Sequence, residues 1–178
     1  MKNRAVVVGI GETDYFKYGK SLHSEFQLAI KSIHAAAEDA GLPVNRIDGL
    51  VSYMDNRNTP LRVAAALGLD SLNWSATPWA GGGNNSAASV QLAAAAVSGG
   101  FADYVLVFRA LAQGEFFRLG ASVGQYATSR GTLWGYPYGL ISPAQECALH
   151  TQRWMHDHGV SQDALASISL ACYANAQL

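Results

Sequence analysis

Cysteine is nearly absent from this 178-residue sequence, which contains only Cys147 and Cys172. The two lie far apart, and neither belongs to a CxxC pair. This spacing argues against a disulfide framework and against a zinc site, both of which need clustered cysteines. We therefore expect a protein of the reducing cytoplasm.

Charge is also scarce, because only 14% of the residues are Asp, Glu, Lys or Arg and the formal net charge is −1. Nucleic acids and anionic membrane surfaces bind clustered Lys and Arg, whereas the basic residues here are scattered. No window reaches the ~18 consecutive apolar residues of a membrane span. The sequence therefore predicts neither a nucleic-acid partner nor a membrane span. The apolar run that follows Met1–Ala5 is too short for a signal peptide.

What the sequence does contain is an alternation of strand-like and helix-like segments. Short β-branched runs are typical of strands buried on both faces, and apolar residues at helical spacing are typical of helices. The predicted strands are Ala5–Ile10, Asp48–Tyr53, Leu72–Pro78 and Ala102–Phe108, and the predicted helices are Ser21–Ala40, Pro60–Leu67 and Asn84–Ser98. This order predicts an α/β fold, layered α/β/α, with a mostly parallel sheet. The last of these helices is nearly all apolar and small, so we expect it to be central and buried on every side.

The character of the chain changes after Arg109. The segment Gly114–Gly139 is rich in glycine and aromatic residues, and a long loop of this kind is either functional or a cover for the sheet edge. Two helices follow, Ser142–His158 and Ser161–Ala174, each with a serine at its start. We therefore divide the chain into an α/β core, residues 1–112, and a loop and helical region that covers the active-site face, residues 113–178.

Several familiar motifs are incomplete. Gly9-Ile10-Gly11 follows a predicted strand, but the position of the third dinucleotide-binding glycine holds Asp14, whose charge would repel a pyrophosphate. No lysine follows the glycines at 81–83, which argues against a P-loop, and a GxSxG elbow is missing. His150, His156 and His158 lack a carboxylate at ligand spacing, so a solvated helix end is favoured over a metal site.

The informative segment is Gly81–Ser89, where three glycines lead into an alanine-rich helix. A helix N-terminus exposes unpaired N–H groups and a partial positive charge, which suits an enolate, thiolate or carbonyl oxygen. Close packing of a central helix would equally explain the small residues. The two interpretations are compatible, and the residues alone leave both open.

The chain resembles the N-terminal half of the thiolase superfamily, in the branch of the lipid-transfer-protein or sterol-carrier-protein thiolases. The resemblance covers essentially the whole chain and is carried by short matches in the family's order. They are VVVGIGETDY, the helix Ser21–Ala40 with AGL after it, IDGLVSY, the central helix with SGGFADYVLVFRALAQ, and SPAQECALHTQRWMHDHGVSQDALASISLACYANA. It implies the thiolase α/β fold and an acyl-CoA thioester as substrate, with no other cofactor and no metal.

Thiolases of this family carry a nucleophilic cysteine at the start of the central helix, where the helix dipole lowers the pKa of the thiol. The matching position here is Gly83, which has no nucleophile. Cys147 and Cys172 lie in later helices and do not match the motif. The pattern resembles instead the thiolase-like aldolases of steroid side-chain degradation, which also have glycine at this position.

The aldolase resemblance implies retro-aldol cleavage of a bulky β-hydroxyacyl-CoA without an acyl-enzyme. It assigns no catalytic residue and implies substrate binding by Gly82, Gly83, Asn84 and Asn85. Aromatic residues of the loop are candidates either for a substrate wall or for packing of the loop itself, namely Phe116, Phe117, Tyr126, Trp134, Tyr136 and Tyr138. The alternatives are a non-catalytic lipid or acyl-CoA carrier, a scaffold for a catalytic partner, and an acyl-CoA acetyltransferase.

The resemblance also implies a second, similarly folded half that supplies the histidine or tyrosine base. We expect that half outside this chain, so that either the chain is a fragment or a partner chain completes the site. We favour the fragment, because a half-fold exposes the apolar face that the other half buries. The family resemblance also implies a homodimer, which forms partly by antiparallel pairing of short strands such as Leu72–Pro78. It further implies a partner of the DUF35 type with an OB-fold.

Overall fold

A computed structural model describes residues 4–17, 19–53, 58–78, 84–112, 132–140 and 142–177. The chain divides into two compact units, Met1–Phe116 and Phe117–Leu178. The first unit combines helices with a parallel sheet, and the described residues of the second unit form helices and turns. The predicted α/β class is therefore confirmed.

Three parallel strands form the sheet of the first unit, with β1 (Gly49–Ser52) between β2 (Trp74–Ala76) and β3 (Val105–Phe108). Gly49 of β1 lies opposite Trp74 of β2 on one side and Val105 of β3 on the other. The elements of this unit are α1 (Glu25–Asp39), a 3₁₀ turn (Val44–Arg46), β1 (Gly49–Ser52), α2 (Pro60–Leu67), β2 (Trp74–Ala76), α3 (Asn84–Ser98) and β3 (Val105–Phe108). The bounds of α2 and α3 are those predicted from the sequence, whereas α1 and the strands are shorter.

The helix starts follow from local capping. Of the two serines considered for α1, Ser24 is the cap: its hydroxyl accepts the amide of Gln27 at 3.2 Å, and the Gln27 side chain accepts the amide of Ser24 at 3.0 Å. This reciprocal pair satisfies two amide groups that the helix itself leaves without partners. Thr59 caps α2 in a similar way, with Pro60 in the first turn, where proline is best tolerated.

The core lies between the sheet and the helices α1 and α2. All four residues of β1 are buried, and Leu50 has no exposed surface. The main members of the core are Leu28, Ala29, Ile33, Ile47, Leu50, Val63, Ala64, Phe108, Ala110 and Ala112. Burial on this scale provides the main stabilisation of the unit, since apolar area removed from water contributes about 25 cal/mol per Å².

The prediction of a buried strand at Ala5–Ile10 is wrong. These residues belong to no strand, and Val6, Val7 and Val8 are 82%, 75% and 57% exposed. A β-branched run favours a pleated conformation but does not supply a neighbouring strand, and pairing decides the outcome. The amide of Ile10 instead donates to Oδ2 of Asp39 at 2.9 Å.

The prediction that α3 is buried on every side is also wrong. Ala96 and Ser89 are buried, but Val90 is 50% exposed and Leu92 is 37% exposed. The helix packs against β1 and β3, which cover one of its sides. Helix α3 therefore carries more apolar surface than the sheet covers.

The second unit contains α4 (Thr132–Gly135), a 3₁₀ turn (Tyr136–Tyr138), α5 (Pro143–His158) and α6 (Asp163–Asn175). Ser142 caps α5 as predicted, and Gly159 ends it with a φ of 61°. The cap of α6 is Gln162 rather than the predicted Ser161, whose hydroxyl donates to Oδ2 of Asp163 at 3.0 Å. Within the described ranges, no helix is both long and apolar enough to cross a membrane.

Candidate functional site

The candidate site lies at the carboxyl edge of the parallel sheet. The strands β1, β2 and β3 run in one direction and end at Ser52, Ala76 and Phe108. In open parallel sheets with helical crossovers, ligands bind where the strands end. Helix α3 follows β2 in the chain and packs on β1 and β3, so its N-terminus is expected at this edge.

The residues predicted to bind substrate are the first two residues of α3 and the two glycines that precede them in the sequence. Gly82 and Gly83 lie outside the described residues. Asn84 is the first residue of α3, and its place in the backbone puts it among the amides that the helix leaves without partners. Asn85 is partly buried, and its carbonyl accepts the hydroxyl of Ser89 at 2.6 Å.

A buried carboxylate joins three segments at the same edge. Glu25, the first residue of α1, is only 3% exposed. Its Oε1 accepts Nδ2 of Asn58 at 3.1 Å, and its Oε2 accepts the amide of Ala112 at 3.0 Å. Burying a carboxylate is costly unless hydrogen bonds compensate it, so this arrangement fixes the positions of its partners.

Ser52 extends this network to the end of β1. Its hydroxyl is fully buried and donates to the carbonyl of Asn58 at 3.1 Å. Asn58 precedes α2 and Ala112 follows β3, so Glu25 holds the segments that leave two strands. We name Glu25, Asn58, Ser52 and the amide of Ala112 the carboxyl-edge cluster.

The carboxyl-edge cluster does not follow from the sequence patterns described above. An acidic residue in the first turn of a helix is usually explained by the helix dipole, and Glu25 fits that pattern. The usable signal was Ser52, because a polar residue in a strand buried on both faces needs a buried partner. Sequence spacing alone does not reveal that partner, since Glu25 and Ala112 are 87 positions apart.

Beside the cluster, Arg109 follows β3 directly, and its guanidinium carbon lies 4.3 Å from the centre of the Tyr53 ring. Tyr53 follows β1, and its amide donates to the carbonyl of Phe108 at 3.2 Å. Arg109 is exposed at this edge of the sheet. Guanidinium groups stacked on aromatic rings retain N–H donors for an anionic ligand.

The other candidate residues lie in the second unit. His158 is exposed at the end of α5, with its Nδ1 2.9 Å from the carbonyl oxygen of Trp154, which agrees with the predicted helix end. Cys147 and Cys172 are free and exposed on α5 and α6. Among the described residues, no group of three or more His, Cys, Asp or Glu side chains is placed to hold a metal ion.

The aromatic residues of the predicted loop are only partly described. Trp134 and Tyr138 are 83% and 88% exposed, so neither packs onto the second unit as a buried side chain. Phe116, Phe117 and Tyr126 lie outside the described residues, and the side chain of Tyr136 is not described.

Two curated proteins are similar to nearly the whole chain. One is the 17-hydroxy-3-oxo-4-pregnene-20-carboxyl-CoA lyase of Mycobacterium tuberculosis, 35% identical over 176 residues, which are 96% of this chain and 45% of the lyase. The other is the steroid side-chain-cleaving aldolase of Thermomonospora curvata, 33% identical over 171 residues, which are 93% of this chain and 43% of the aldolase. The chain thus spans less than half the length of these relatives.

A solved structure is also similar to this chain. A chain of the Ltp2-ChsH2(DUF35) aldolase matches with a TM-score of 0.71 and 34% sequence identity, over 87% of this chain and 38% of that chain. No family model matches the sequence. In both sequence and fold, the chain is therefore similar to part of aldolases and lyases, two of them named for steroid substrates.

Proposed function

We propose that this chain is the N-terminal part of a thiolase-like aldolase that cleaves a carbon–carbon bond in a steroid-type β-hydroxyacyl-CoA. The observation that carries the proposal is identity of 35% and 33%, over nearly the full chain, with two enzymes named for steroid cleavage. One of those names describes a CoA thioester that also bears a hydroxyl group.

The proposed reaction is a retro-aldol cleavage. A base removes the proton of the β-hydroxyl, the bond between the α and β carbons breaks, and its electron pair moves into the thioester as an enolate. A ketone leaves, and protonation of the α carbon gives the shorter acyl-CoA. The step needs a base and donors that hold the enolate oxygen, and no group of this chain is assigned as the base.

In this proposal the backbone amides at the start of α3, around Gly82, Gly83 and Asn84, hold the enolate oxygen. Preorganised donors of this type contribute about 3–4 kcal/mol each to the stabilisation of an oxyanion. Glycine at position 83 supplies no nucleophile, and Cys147 and Cys172 lie on α5 and α6 rather than at the start of α3. Cleavage without an acyl-enzyme is therefore favoured over acyl transfer.

We also propose that the protein acts as a homodimer together with an OB-fold partner of the DUF35 type. The support for the DUF35 partner is the likeness to a chain of an aldolase that is named together with a DUF35 component, whereas the homodimer rests on the family resemblance. Coenzyme A thioester is the only cofactor-like group in this proposal, and it enters as part of the substrate.

The test is an assay of the complete encoded protein, with and without a DUF35 partner, on a steroid-type β-hydroxyacyl-CoA. Mass spectrometry should detect a ketone and a shorter acyl-CoA in equal amounts. Binding of the thioester without cleavage would favour the carrier or scaffold alternative. Acetyl transfer by the unmodified protein would favour the acetyltransferase alternative.

The variant Asn84→Asp tests where the enolate is held. A carboxylate beside the first amides of α3 should lower kcat by about 10- to 100-fold, because it repels the enolate. The same charge should leave stability unchanged or slightly higher, since acids favour helix N-termini. Gln91→Glu, on an exposed position of α3, adds the same charge two turns away and is the matched control. Equal activity of the two variants would contradict the proposed site.

A further inference from the structure

Arg109 and Tyr53 form a stacked pair whose position follows from the strand pairing. Ser52 of β1 lies opposite Phe108 of β3, so the residues that follow them, Tyr53 and Arg109, are also neighbours. Tyr53 is only 6% exposed, and the guanidinium carbon of Arg109 lies 4.3 Å from the centre of its ring. The buried ring covers one face of the planar guanidinium and fixes its orientation, while the N–H groups at the edge of the guanidinium remain available.

The stacked pair lies on the face of the sheet that α3 covers. Side chains alternate between the two faces along a strand. Leu50, Phe108 and Ala110 belong to the core that the sheet forms with α1 and α2. Tyr53 and Arg109 are odd numbers of positions away from these residues along their own chain segments. Their side chains therefore lie on the other face, where α3 packs against β1 and β3.

The pair is also level with the first two turns of α3. Ala102, which follows α3, is packed against Gly49 at the start of β1, so the helix ends at the amino edge of the sheet. From Val105 to Arg109 the strand direction covers about 13 Å, a length that about nine helical residues span. Counted back from Ser98, this length reaches the second turn of α3. Arg109 is therefore expected close to the amides that are proposed to hold the enolate oxygen.

The charge of Arg109 is not neutralised by a neighbouring side chain. Among the described residues, no carboxylate forms an ion pair with Arg109. Glu12, an acidic residue near the start of the chain, accepts the hydroxyl of Tyr15 at 2.9 Å. The residues before Glu12 are held by α1, because Gly9 and Gly11 lie directly against the backbone of that helix. The positive charge of Arg109 is thus held in place by an aromatic ring and is available to an anionic ligand.

We propose that Arg109 is a further catalytic residue, whose guanidinium donates hydrogen bonds to the enolate oxygen of the thioester together with the amides at the start of α3. The inference rests on the proposed function, since it requires a thioester as the ligand. When the bond between the α and β carbons breaks, its electron pair moves into the thioester and negative charge develops on the oxygen. The guanidinium keeps its protons, so it stabilises that charge and is neither the base nor the group that protonates the α carbon.

The phosphate groups of CoA are the other anions of such a ligand. They are separated from the thioester by the whole pantetheine arm, whereas the stacked pair lies beside the first turns of α3. The buried ring of Tyr53 also lowers the local dielectric constant, which strengthens the attraction between the guanidinium and a developing charge. The thioester oxygen is therefore the better match, and binding of a phosphate is one outcome of the test.

The experiment measures enolate formation without cleavage, in the complete encoded protein. The probe is acetoacetyl-CoA, whose enolate has its own ultraviolet absorption band and which lacks the β-hydroxyl that the cleavage requires. The unmodified protein should raise the ratio of enolate to keto form near neutral pH. Arg109→Ala should lower this ratio by about tenfold or more, because a charge-assisted donor is lost. Arg109→Lys, which keeps the charge but not the planar group, should give an intermediate ratio.

The matched control is Arg46→Ala. Arg46 is also exposed and also lies over a tyrosine, 5.9 Å from the centre of the Tyr104 ring, but at the amino edge of the sheet. Its removal should leave the bound enolate unchanged. Circular dichroism and urea unfolding of both alanine variants separate loss of the enolate from loss of the fold.

Kinetics on a steroid-type β-hydroxyacyl-CoA give a second measurement. Arg109→Ala should lower kcat by about 100- to 1,000-fold with little change in KM, because the contact is made to charge that develops in the transition state. Guanidinium chloride at low concentration should restore part of the activity of Arg109→Ala, which a merely structural role of the stack would not allow. Enolate formation that depends on Arg109, in a protein that cleaves no hydroxyacyl-CoA, would support the inference and contradict the proposed function.

Three results would overturn the inference. One is an equal amount of bound enolate in Arg109→Ala and the unmodified protein. Another is the absence of any bound enolate in the unmodified protein. The third is a loss of affinity for CoA itself that matches the loss of enolate in Arg109→Ala, which would assign the guanidinium to a phosphate group.

Discussion

The two edges of the sheet each use one carboxylate to tie several segments together, but they do so in different ways. At the amino edge, Asp48 precedes β1 and accepts the amides of Asp103 and Tyr104, which precede β3, and the side chain of Asn73, which precedes β2. At the carboxyl edge, Glu25 ties a helix start to the segments that leave β1 and β3. Asp48 is half-buried, whereas Glu25 is buried.

The two carboxylates therefore have different roles, because one aligns the strands and the other positions the segments of the candidate site. Asp48 holds the starts of all three strands in register, in a place where no candidate site residue lies. Glu25 holds the segments that leave the strand ends at the carboxyl edge, at Asn58 and Ala112. We therefore expect a change at Asp48 to affect stability alone, and a change at Glu25 to affect both stability and the site.

The largest effect is expected for Glu25→Gln. The glutamine amide keeps the volume but turns an N–H₂ group toward a donor, either Nδ2 of Asn58 or the amide of Ala112. A buried donor left without an acceptor costs about 1–3 kcal/mol, and loss of a charged acceptor adds to it, so we expect about 3 kcal/mol. Urea unfolding measures the loss, and hydrogen exchange at Ala112 should become faster.

The matched control for this prediction is Glu38→Gln, which makes the same change on the exposed surface of α1. It should alter the free energy of unfolding by less than about 0.5 kcal/mol. If the two variants have equal stability and equal exchange at Ala112, the carboxyl-edge cluster does not fix the exit of β3.

A smaller effect is expected for Asp48→Asn. The neutral amide weakens the hydrogen bonds from Asp103 and Tyr104 and opposes the donor of Asn73. We expect a loss of about 1–2 kcal/mol, reduced by solvent screening at this half-buried position. Exchange at Ala112 should stay unchanged, in contrast to Glu25→Gln. Asp70→Asn is the exposed control, and acceleration at Ala112 in Asp48→Asn would mean that the two edges are coupled.

The contribution of Asp48 should also depend on pH. Burial by itself raises the pKa of Asp48, but the hydrogen bonds from Tyr104, Asp103 and Asn73 outweigh burial, and the pKa lies below its usual value of 3.8. A lowered folded-state pKa gives stability that is fully present above 3.8 and is lost as the pH falls through the folded value. The stability difference between the original chain and Asp48→Asn should be constant near neutral pH and shrink below pH 3.8.

The smallest effect is expected for Ser24→Ala, which removes the cap of α1 beside Glu25. Loss of a serine cap costs about 1 kcal/mol. Exchange at Ala112 should remain slow, because the Glu25 carboxylate still accepts the side chain of Asn58 and the amide of Ala112. Ser142→Ala removes an equivalent capping box from α5 and provides the control for the cap alone. Faster exchange at Ala112 in Ser24→Ala would show that the cap, rather than the carboxylate, holds the cluster in place.

Sequence patterns predicted those helices and strands whose bounds depend on interactions between neighbouring residues in the chain. Helix α2 has a cap at Thr59, Pro60 in its first turn and Gly68 at its end, so its bounds could be predicted from the sequence. The conformation of Ala5–Ile10 could not be predicted, because a strand needs a neighbouring strand and the residues themselves do not identify one. The carboxyl-edge cluster was missed for a related reason, since its members are joined only by the folded topology.

The candidate site was predicted in part. The start of α3 at Asn84 agrees with the prediction, because the glycines before it and the apolar run after it mark a helix boundary. Assignment of Gly82 and Gly83 to substrate binding rests on the resemblance and stays a prediction. The nature of the reaction could not be read from spacing alone, since a glycine at position 83 identifies only a missing nucleophile.

The contact of Gly9 and Gly11 with α1 has a consequence for how the protein tolerates change over evolution. Neither glycine has a positive φ, and a methyl group at either would lie about 2.4 Å and 2.3 Å from backbone atoms of Ala36. Gly41, in contrast, has a φ of 61° and open space around it, which asparagine tolerates. Natural variants should therefore drift at Gly41 but not at the two N-terminal glycines, where the required property is the absence of a side chain.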